Sequence, residues 1–147
     1  MRRLLALAVC LSLSGCTLND CCSAEIVHEG ITETDAEGTP TGAVDARDWA
    51  LAAGSDGGPV PDGVAVWPAF PNPAVGEAVV RFSVPSAQRV TARLFTQRDR
   101  PQAEILDAEM AAGTHELRIP APPDPGLYRL VIEGEGWSSQ GDLQFGR

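Results

Sequence analysis

The strongest constraint on the fold of this chain is a two-residue alternation of apolar and polar side chains along residues 77–84. Val80, Phe82 and Val84 occupy alternate positions, and Arg81 lies between them. Successive side chains of a β-strand point to opposite faces, so this spacing predicts a strand with one buried and one solvated face. The pattern is typical of an antiparallel sheet that packs on a core through one side.

The same alternation recurs along residues 64–147, where clusters of glycine, proline and aspartate separate the segments that carry it. Pro122, Pro123 and Pro125 cannot donate ladder hydrogen bonds, so they mark a connection between strands. Short strands with turn signals every eight to twelve residues or so are typical of a β-sandwich. The sequence therefore predicts an all-β fold, an antiparallel β-sandwich of about seven strands. The predicted strands are Val64–Val66, Glu77–Val84, Val90–Leu94, Ala103–Met110, His115–Ile119, Leu127–Glu133 and Gly141–Phe145.

The tripeptide Pro71-Asn72-Pro73 stands before the first long strand. Each proline fixes its own backbone torsion and lacks an N–H donor. We therefore expect a rigid connection here, which keeps the short strand at Val64–Val66 from continuing.

The chain before residue 64 has a different composition. Residues 23–63 hold nine acidic residues and one arginine, a net charge of −8 out of −9 for the whole chain. Apolar side chains are scattered there, and this predicts a largely disordered acidic linker over residues 16–63. One short helical piece is expected within it, capped by Asp45 and ended by Gly54. Carboxylates can bind calcium, but their spacing matches no calcium loop.

The charge of the chain also bears on its partners. All eleven basic residues are arginines, and they form no basic stripe. Phosphate backbones repel an acidic chain of this kind, so nucleic acid is not expected as a partner.

The N-terminus, MRRLLALAVCLSLSGC, has the organisation of an export signal. Arg2 and Arg3 precede an apolar run, Leu4–Leu13, that is too short to span a bilayer. Leu13-Ser14-Gly15-Cys16 resembles a bacterial lipobox. This resemblance implies a signal peptide over residues 1–15 and lipidation of Cys16 by a diacylglyceryl group and usually a third acyl chain. The alternative is an ordinary secretory peptide that happens to contain a cysteine.

The lipobox resemblance also implies a location. An aspartate after the lipidated cysteine would favour retention at the inner membrane of a double-membrane bacterium, and residue 17 is threonine. We therefore expect a lipid-anchored protein of the cell envelope, at the outer membrane or the cell surface. Cys21 and Cys22 either bond other chains or stay reduced. With only His28 nearby, these two cysteines lack the ligands for a metal site.

No residue or motif in the chain has the sequence context of a catalytic group. His115 is expected on the inward face of a strand, where a catalytic base would need an acid, nucleophile or metal partner. Glu116 is expected on the opposite face, and the chain has no G-x-S-x-G motif and no phosphate-binding loop. We therefore predict a non-enzymatic protein with no catalytic residue, cofactor, metal or small-molecule substrate, and a structural role for His115.

Five sequence blocks along residues 67–147 follow one another in order. They are Pro71-Asn72-Pro73, Val80-Arg81-Phe82-Ser83-Val84, a hairpin from Val90 to Arg100, Gly113-Thr114-His115-Glu116-Leu117, and Pro125-Gly126-Leu127-Tyr128. The series resembles the immunoglobulin-like (Ig-like) module shared by the C-terminal sorting domain of type IX secretion cargo and the flagellar hook-capping protein. This resemblance implies an Ig-like sandwich over residues 64–147.

Three features of the sequence are informative when it is compared with this family pattern. Asp99 replaces the hairpin glycine, and aspartate also adopts the left-handed backbone conformation. The last strand, GDLQFGR, carries one arginine where sorting domains usually carry lysines. Tyr128 is either a core residue or a corner tyrosine whose hydroxyl bonds back to the preceding backbone, as in Ig-like sandwiches.

Together these observations predict a membrane-anchored, non-enzymatic surface lipoprotein with a domain that resembles a sorting domain. Its expected partners are the membrane, through lipid on Cys16, and the secretion machinery or an envelope protein. The alternative is a lipid-tethered adhesive or scaffolding module that binds another envelope protein through a sheet edge.

Overall fold

The computed structural model describes residues 30–55 and 57–146. This part of the chain contains eight β-strands and no α-helix, and therefore no helix that is long and apolar enough to cross a membrane. The predicted signal peptide, Cys16, Cys21, Cys22 and His28 lie outside the described residues. The strands are β1 (Leu51–Ala53), β2 (Ala65–Val66), β3 (Glu77–Val84), β4 (Gln88–Thr96), β5 (Pro101–Met110), β6 (Gly113–Pro120), β7 (Gly126–Gly134) and β8 (Trp137–Phe145).

The strands form two sheets that pack face to face around one core. Five strands lie in the order β1-β8-β7-β4-β5, and three lie in the order β2-β3-β6. Every pair of neighbouring strands is antiparallel. The predicted antiparallel sandwich and all seven predicted strands are therefore confirmed, and the sequence alternation locates β3 at its observed bounds.

The core consists of the alternate residues that the sequence pattern predicts. Val80, Phe82 and Val84 of β3 are almost completely buried, while Arg81 between them is exposed. Burial of a large apolar side chain stabilises the fold by about 1.5–3 kcal/mol. The other strands bury Val90, Ala92, Leu94, Leu117, Ile119, Tyr128, Leu130, Ile132, Trp137, Leu143 and Phe145.

The β4–β5 hairpin turns at Asp99, which has a φ of 54°. Its backbone N–H donates to the carbonyl of Thr96 at 2.9 Å. The expectation that aspartate serves here in place of glycine is confirmed.

Residues 30–53, which we call the strap, pack onto the sandwich. Leu51–Ala53 pairs with Trp137–Ser139 of β8, and Thr32, Thr34 and Trp49 are buried. Over the described residues from 30 onward, this differs from the flexible linker expected over residues 16–63, because ordered structure is already present from residue 30. The segment expected to be helical also differs, since residues 46–49 form a turn that leads into β1. The prediction from composition was wrong here because the strap is held mainly by polar contacts to backbone groups that are far away in the sequence.

Candidate functional site at the β8 edge

Asn72 lies at the centre of a buried polar cluster between the strap and β8. Its amide Nδ2 donates to the carbonyls of Thr32 at 3.0 Å and Asp142 at 2.9 Å, and its Oδ1 accepts from the Gln144 N–H at 3.0 Å. Its backbone N–H and carbonyl pair with Thr34 at 3.1 and 2.8 Å. Each polar group of this fully buried residue thus has a partner, as burial requires.

The prolines on either side of Asn72 hold it at this position. The Phe70–Pro71 and Asn72–Pro73 peptide bonds are both cis. Ala74 follows, and its backbone N–H donates to the Gln144 carbonyl at 2.8 Å. The rigid connection expected from the prolines therefore carries a buried asparagine that joins the strap to the last strand.

Asp48 is the second polar contact between the strap and β8. One carboxylate oxygen accepts from the Thr32 N–H at 2.9 Å, and the other accepts from the Asp142 N–H at 3.1 Å. Burial raises the pKa of Asp48 to about 6, and the nearby carboxylates of Asp142 and Asp45 act in the same direction. The two backbone hydrogen bonds oppose this rise, because they favour the charged form.

Arg129 compensates the buried charge of Asp142. The two residues face each other across β7 and β8, and both guanidinium–carboxylate distances are 2.8 Å. This bidentate geometry is the strong form of the ion pair, and it raises the pKa of Arg129. Asp142 is only 1% exposed, so loss of Arg129 would leave a buried charge without this partner.

Trp49 closes the edge of the core beside β8. Its ring occupies the space next to Gly141, where an added Cβ would lie only 2.1 Å from the indole. Its backbone N–H donates to the Gln140 carbonyl at 2.7 Å. The contact has two unfavourable features: a φ of 65°, and a buried indole N–H that has no hydrogen-bond partner among the described residues. A left-handed backbone costs free energy in a residue other than glycine, and a buried N–H without a hydrogen-bond partner costs free energy as well.

His115 lies where the sequence predicts, on the core side of β6, and is partly buried. Its Nε2 is 2.8 Å from the Ala111 carbonyl, and its ring centre is 5.4 Å from that of Phe82. Glu116 lies on the opposite face and pairs with Arg81 at 2.8 Å. In residues 30–55 and 57–146, no three His, Cys, Asp or Glu side chains are grouped to hold a metal ion. These contacts support a packing role for His115.

Tyr128 is a corner tyrosine. Its hydroxyl donates to the Asp124 carbonyl at 2.7 Å, and burial raises its pKa. Its ring also packs edge-to-face on Phe145, with ring centres 5.9 Å apart. Of the two roles left open by the sequence, the corner role is confirmed, and the residue contributes to the core as well.

Cross-strand ion pairs balance charge on the outer faces of the sheets. They are Arg81–Glu116, Arg89–Asp107, Arg93–Glu104, Arg93–Glu133 and Arg118–Glu77. Exposed pairs of this kind contribute at most about 1 kcal/mol each. Each arginine of these pairs therefore lies beside a carboxylate on the outer face of its sheet.

Sequence reasoning identified the residues of the sandwich but missed those of the β8 edge. The structure brings together Thr32, Asp48, Trp49, Asn72 and Asp142, none of which was a predicted site residue. Two signals were present in the sequence: an asparagine held between two prolines, and a lone tryptophan in a polar segment.

Comparisons with protein-family models, with curated proteins and with solved structures found no match to this chain. The β8 edge and the N-terminal sequence are therefore interpreted from their own chemistry.

Proposed function

We propose that this protein is a non-enzymatic lipoprotein of the cell envelope, anchored by lipid on Cys16, with a C-terminal domain that acts as a type IX sorting domain. The lipobox Leu13-Ser14-Gly15-Cys16, placed directly after a short apolar run, is the observation that carries the anchor. One acyl chain gives only marginal membrane binding, whereas two or more hold a protein stably at about 0.8 kcal/mol for each buried CH₂ group.

The sandwich supports the proposed Ig-like domain. The chain crosses between the two sheets three times after β3: from β3 to β4, from β5 to β6, and from β6 to β7. The corner hydrogen bond from Tyr128 to Asp124 is a further feature of Ig-like sandwiches. The five sequence blocks lie on these elements, with the Pro-Asn-Pro block before β3 and the Tyr128 block at the start of β7.

Replacement of Cys16 by serine tests the anchor. The wild-type protein is expected to incorporate labelled fatty acid and to partition into the detergent phase. The Cys16→Ser variant should do neither and should accumulate as uncleaved precursor, because the lipoprotein peptidase acts on the acylated substrate. Cys21→Ser is the matched control and should be labelled like the wild type. Equal labelling of wild type and Cys16→Ser would contradict the anchor.

A reporter fusion tests the sorting role independently of the lipid. Residues 30–147 and residues 64–147 are each fused to a secreted reporter in a host with a type IX system. The longer fusion is expected to reach the cell surface, because it retains the strap and its buried contacts with β8. If both fusions fold but stay in the periplasm, the domain is not a sorting signal.

The β5 edge favours the second candidate function, a scaffold that binds another envelope protein. β5 is ten residues long, and one side of it has no strand partner in the described part of the chain. Such an edge can accept a strand from a partner. Its exposed Glu109, which is not among the cross-strand ion pairs described above, favours a basic partner segment.

A pull-down from envelope extract tests this alternative. A partner bound through β5 should be retained by the wild type and weakened several-fold by Glu109→Arg. The matched control, Glu135→Arg, changes the same charge at an exposed position on the turn between β7 and β8, outside β5. Equal capture by the three proteins would contradict binding at this edge.

A further inference from the structure

The strap contributes little to the hydrophobic core that it covers. Of the nineteen apolar residues that are buried in the described part of the chain, only Trp49 belongs to residues 30–53. The other eighteen come from residues 64–145, and all but Val64, Ala69 and Ala74 of these lie on β3, β4 and β6 to β8. Loss of the strap would thus uncover the β8 edge while leaving most of the apolar packing of the sandwich in place. This is the composition expected of a segment that opens separately from the core.

Unfavourable features are concentrated where the strap meets β8. Trp49 combines a left-handed backbone with an unpartnered buried indole N–H, and the adjacent Asp48 holds a partly buried carboxylate. The contacts that offset these costs are hydrogen bonds to backbone groups of β8 and to Asn72. A short strand adds to them, but all three residues of β1 are exposed. The stability of the closed strap therefore depends on whether these hydrogen bonds outweigh the local costs at Trp49 and Asp48.

The edge beneath the strap accepts an extended segment. β1 runs antiparallel to β8, with Leu51 opposite Ser139, and the pairing is continued by the bond from the Trp49 N–H to the Gln140 carbonyl. The Asp142 N–H, which the strap satisfies through Asp48, lies further along the same edge. Release of the strap would leave these β8 backbone groups without their present partners, and such groups pair readily with another strand.

We propose that residues 30–53 form a releasable strap and that β8, once its own strap leaves, binds the strap of a second copy of this chain, antiparallel and at the same edge, because that segment already matches the edge in register and contacts. The strap is then the protein's own occupant of a strand-binding site. This inference does not depend on the lipid anchor or on a sorting role.

The charge of Asp48 makes release depend on pH. Asp48 faces Asp142 on β8, Arg129 on β7 through that carboxylate, and Asp45 on the strap itself. Its pKa is about 6 in the closed state, against 3.8 for an ordinary aspartate. At pH values between 3.8 and 6, closing of the strap is therefore accompanied by uptake of a proton at Asp48. The extra stability of the closed state is present below pH 3.8 and is lost as pH rises through about 6. Opening should increase on the order of 50-fold between pH 4 and 7.5.

Amide hydrogen exchange on the full chain, corrected for the intrinsic effect of pH, tests release. The Thr34, Trp49 and Asp142 amides report on the strap, and the amides of Leu94 and Leu130, opposite each other on the inner strands β4 and β7, report on the core. We expect the first three to open together and at least tenfold more often than the two core amides. Opening of the strap together with the core amides, only on global unfolding, would overturn the proposal.

Two conservative variants separate the role of Asp48 from that of charge in general. Asp48→Asn should abolish the rise in strap opening with pH, whereas Asp45→Asn, a matched change on the same strap, should retain most of it. A pH dependence that is unchanged in Asp48→Asn would overturn the assignment of the pH effect to this group.

A synthetic peptide of residues 44–55 tests the strand-binding edge. It should bind the Trp49→Ala variant, whose own strap is weakened, at least tenfold more tightly than the wild type. A peptide of the same composition in scrambled order should bind neither protein. Failure of the peptide to bind a Trp49→Ala variant that exchange shows to be open would overturn the second half of the proposal. If that variant does not fold, the 44–55 peptide with the Asp48→Asn change should bind the wild type more tightly at pH 7.5 than at pH 4, because only the strap then carries the titrating carboxylate. Absence of binding at both pH values would overturn it.

Discussion

β3 and the strap are both ordered, but they are stabilised in opposite ways. The eight residues of β3 bury four apolar side chains and pair with β6 in unbroken register from Glu77 to Val84. The strap is three times as long, and two of its three buried side chains are threonines. β3 therefore derives its stability from area removed from water, whereas the strap depends on a few hydrogen bonds of defined geometry. The first kind of order leaves a sequence pattern, and the second leaves almost none.

Truncation of a core residue should affect the whole molecule. Phe82→Ala removes a ring that is 1% exposed, and it should lower the free energy of unfolding by about 3–5 kcal/mol. Chemical denaturation should show one earlier transition, and the strap amides should lose protection together with the core amides. Loss of strap protection alone would mean that β3 is not the shared support of both regions.

Truncation of the central asparagine should affect the strap first. Asn72→Ala leaves two buried carbonyls and the Gln144 N–H without their partner, at a cost of about 3 kcal/mol. We expect exchange to increase at Thr34, Trp49 and Asp142 while Leu94 and Leu130 of the inner strands keep their protection at low denaturant. Gln97→Ala, an exposed amide at the β4–β5 turn, is the control and should change little. Uniform loss of protection would show that the two regions are not separable.

A methyl group beneath Trp49 tests the contact of the one buried apolar side chain in residues 30–53. Gly141→Ala places a Cβ where the indole lies and should destabilise the closed strap by about 2 kcal/mol. In the Trp49→Ala background the same substitution has room and should cost much less. Denaturation and exchange of the single and double variants give the coupling energy. Additive effects would contradict the contact.

Removal of the corner hydroxyl should have the smallest effect of the four. Tyr128→Phe keeps the ring that packs on Phe145 but loses the bond to the Asp124 carbonyl, at a cost of about 1 kcal/mol. The expected result is a small shift of the global transition with no change in strap opening relative to the core. An unchanged midpoint would mean that water replaces the bond without loss.

The sequence predicted the sandwich well because its core strands obey a local rule. Alternation at Val80, Phe82 and Val84 is visible within a few residues, and the turn at Asp99 follows from the conformations open to one residue. The β8 edge could not be predicted in this way. Asn72 bonds to backbone groups 40 and 70 residues away, and a backbone carbonyl has no sequence signature. The strap was not predicted because the composition of residues 23–63 reports their low apolar content, whereas the strap is held by hydrogen bonds that composition does not reveal.

The folding of the strap onto β8 also sets a length. If Cys16 is anchored in a membrane, thirteen residues separate it from the start of the strap at Gly30. Fully extended, the chain from Cys16 to Gly30 spans at most about 50 Å. With the strap released, the chain from Cys16 to Val64 spans at most about 170 Å. The hydrogen bonds of Asn72 and Asp48 would then fix how far the sandwich travels from the bilayer, and therefore which layer of the envelope it can touch.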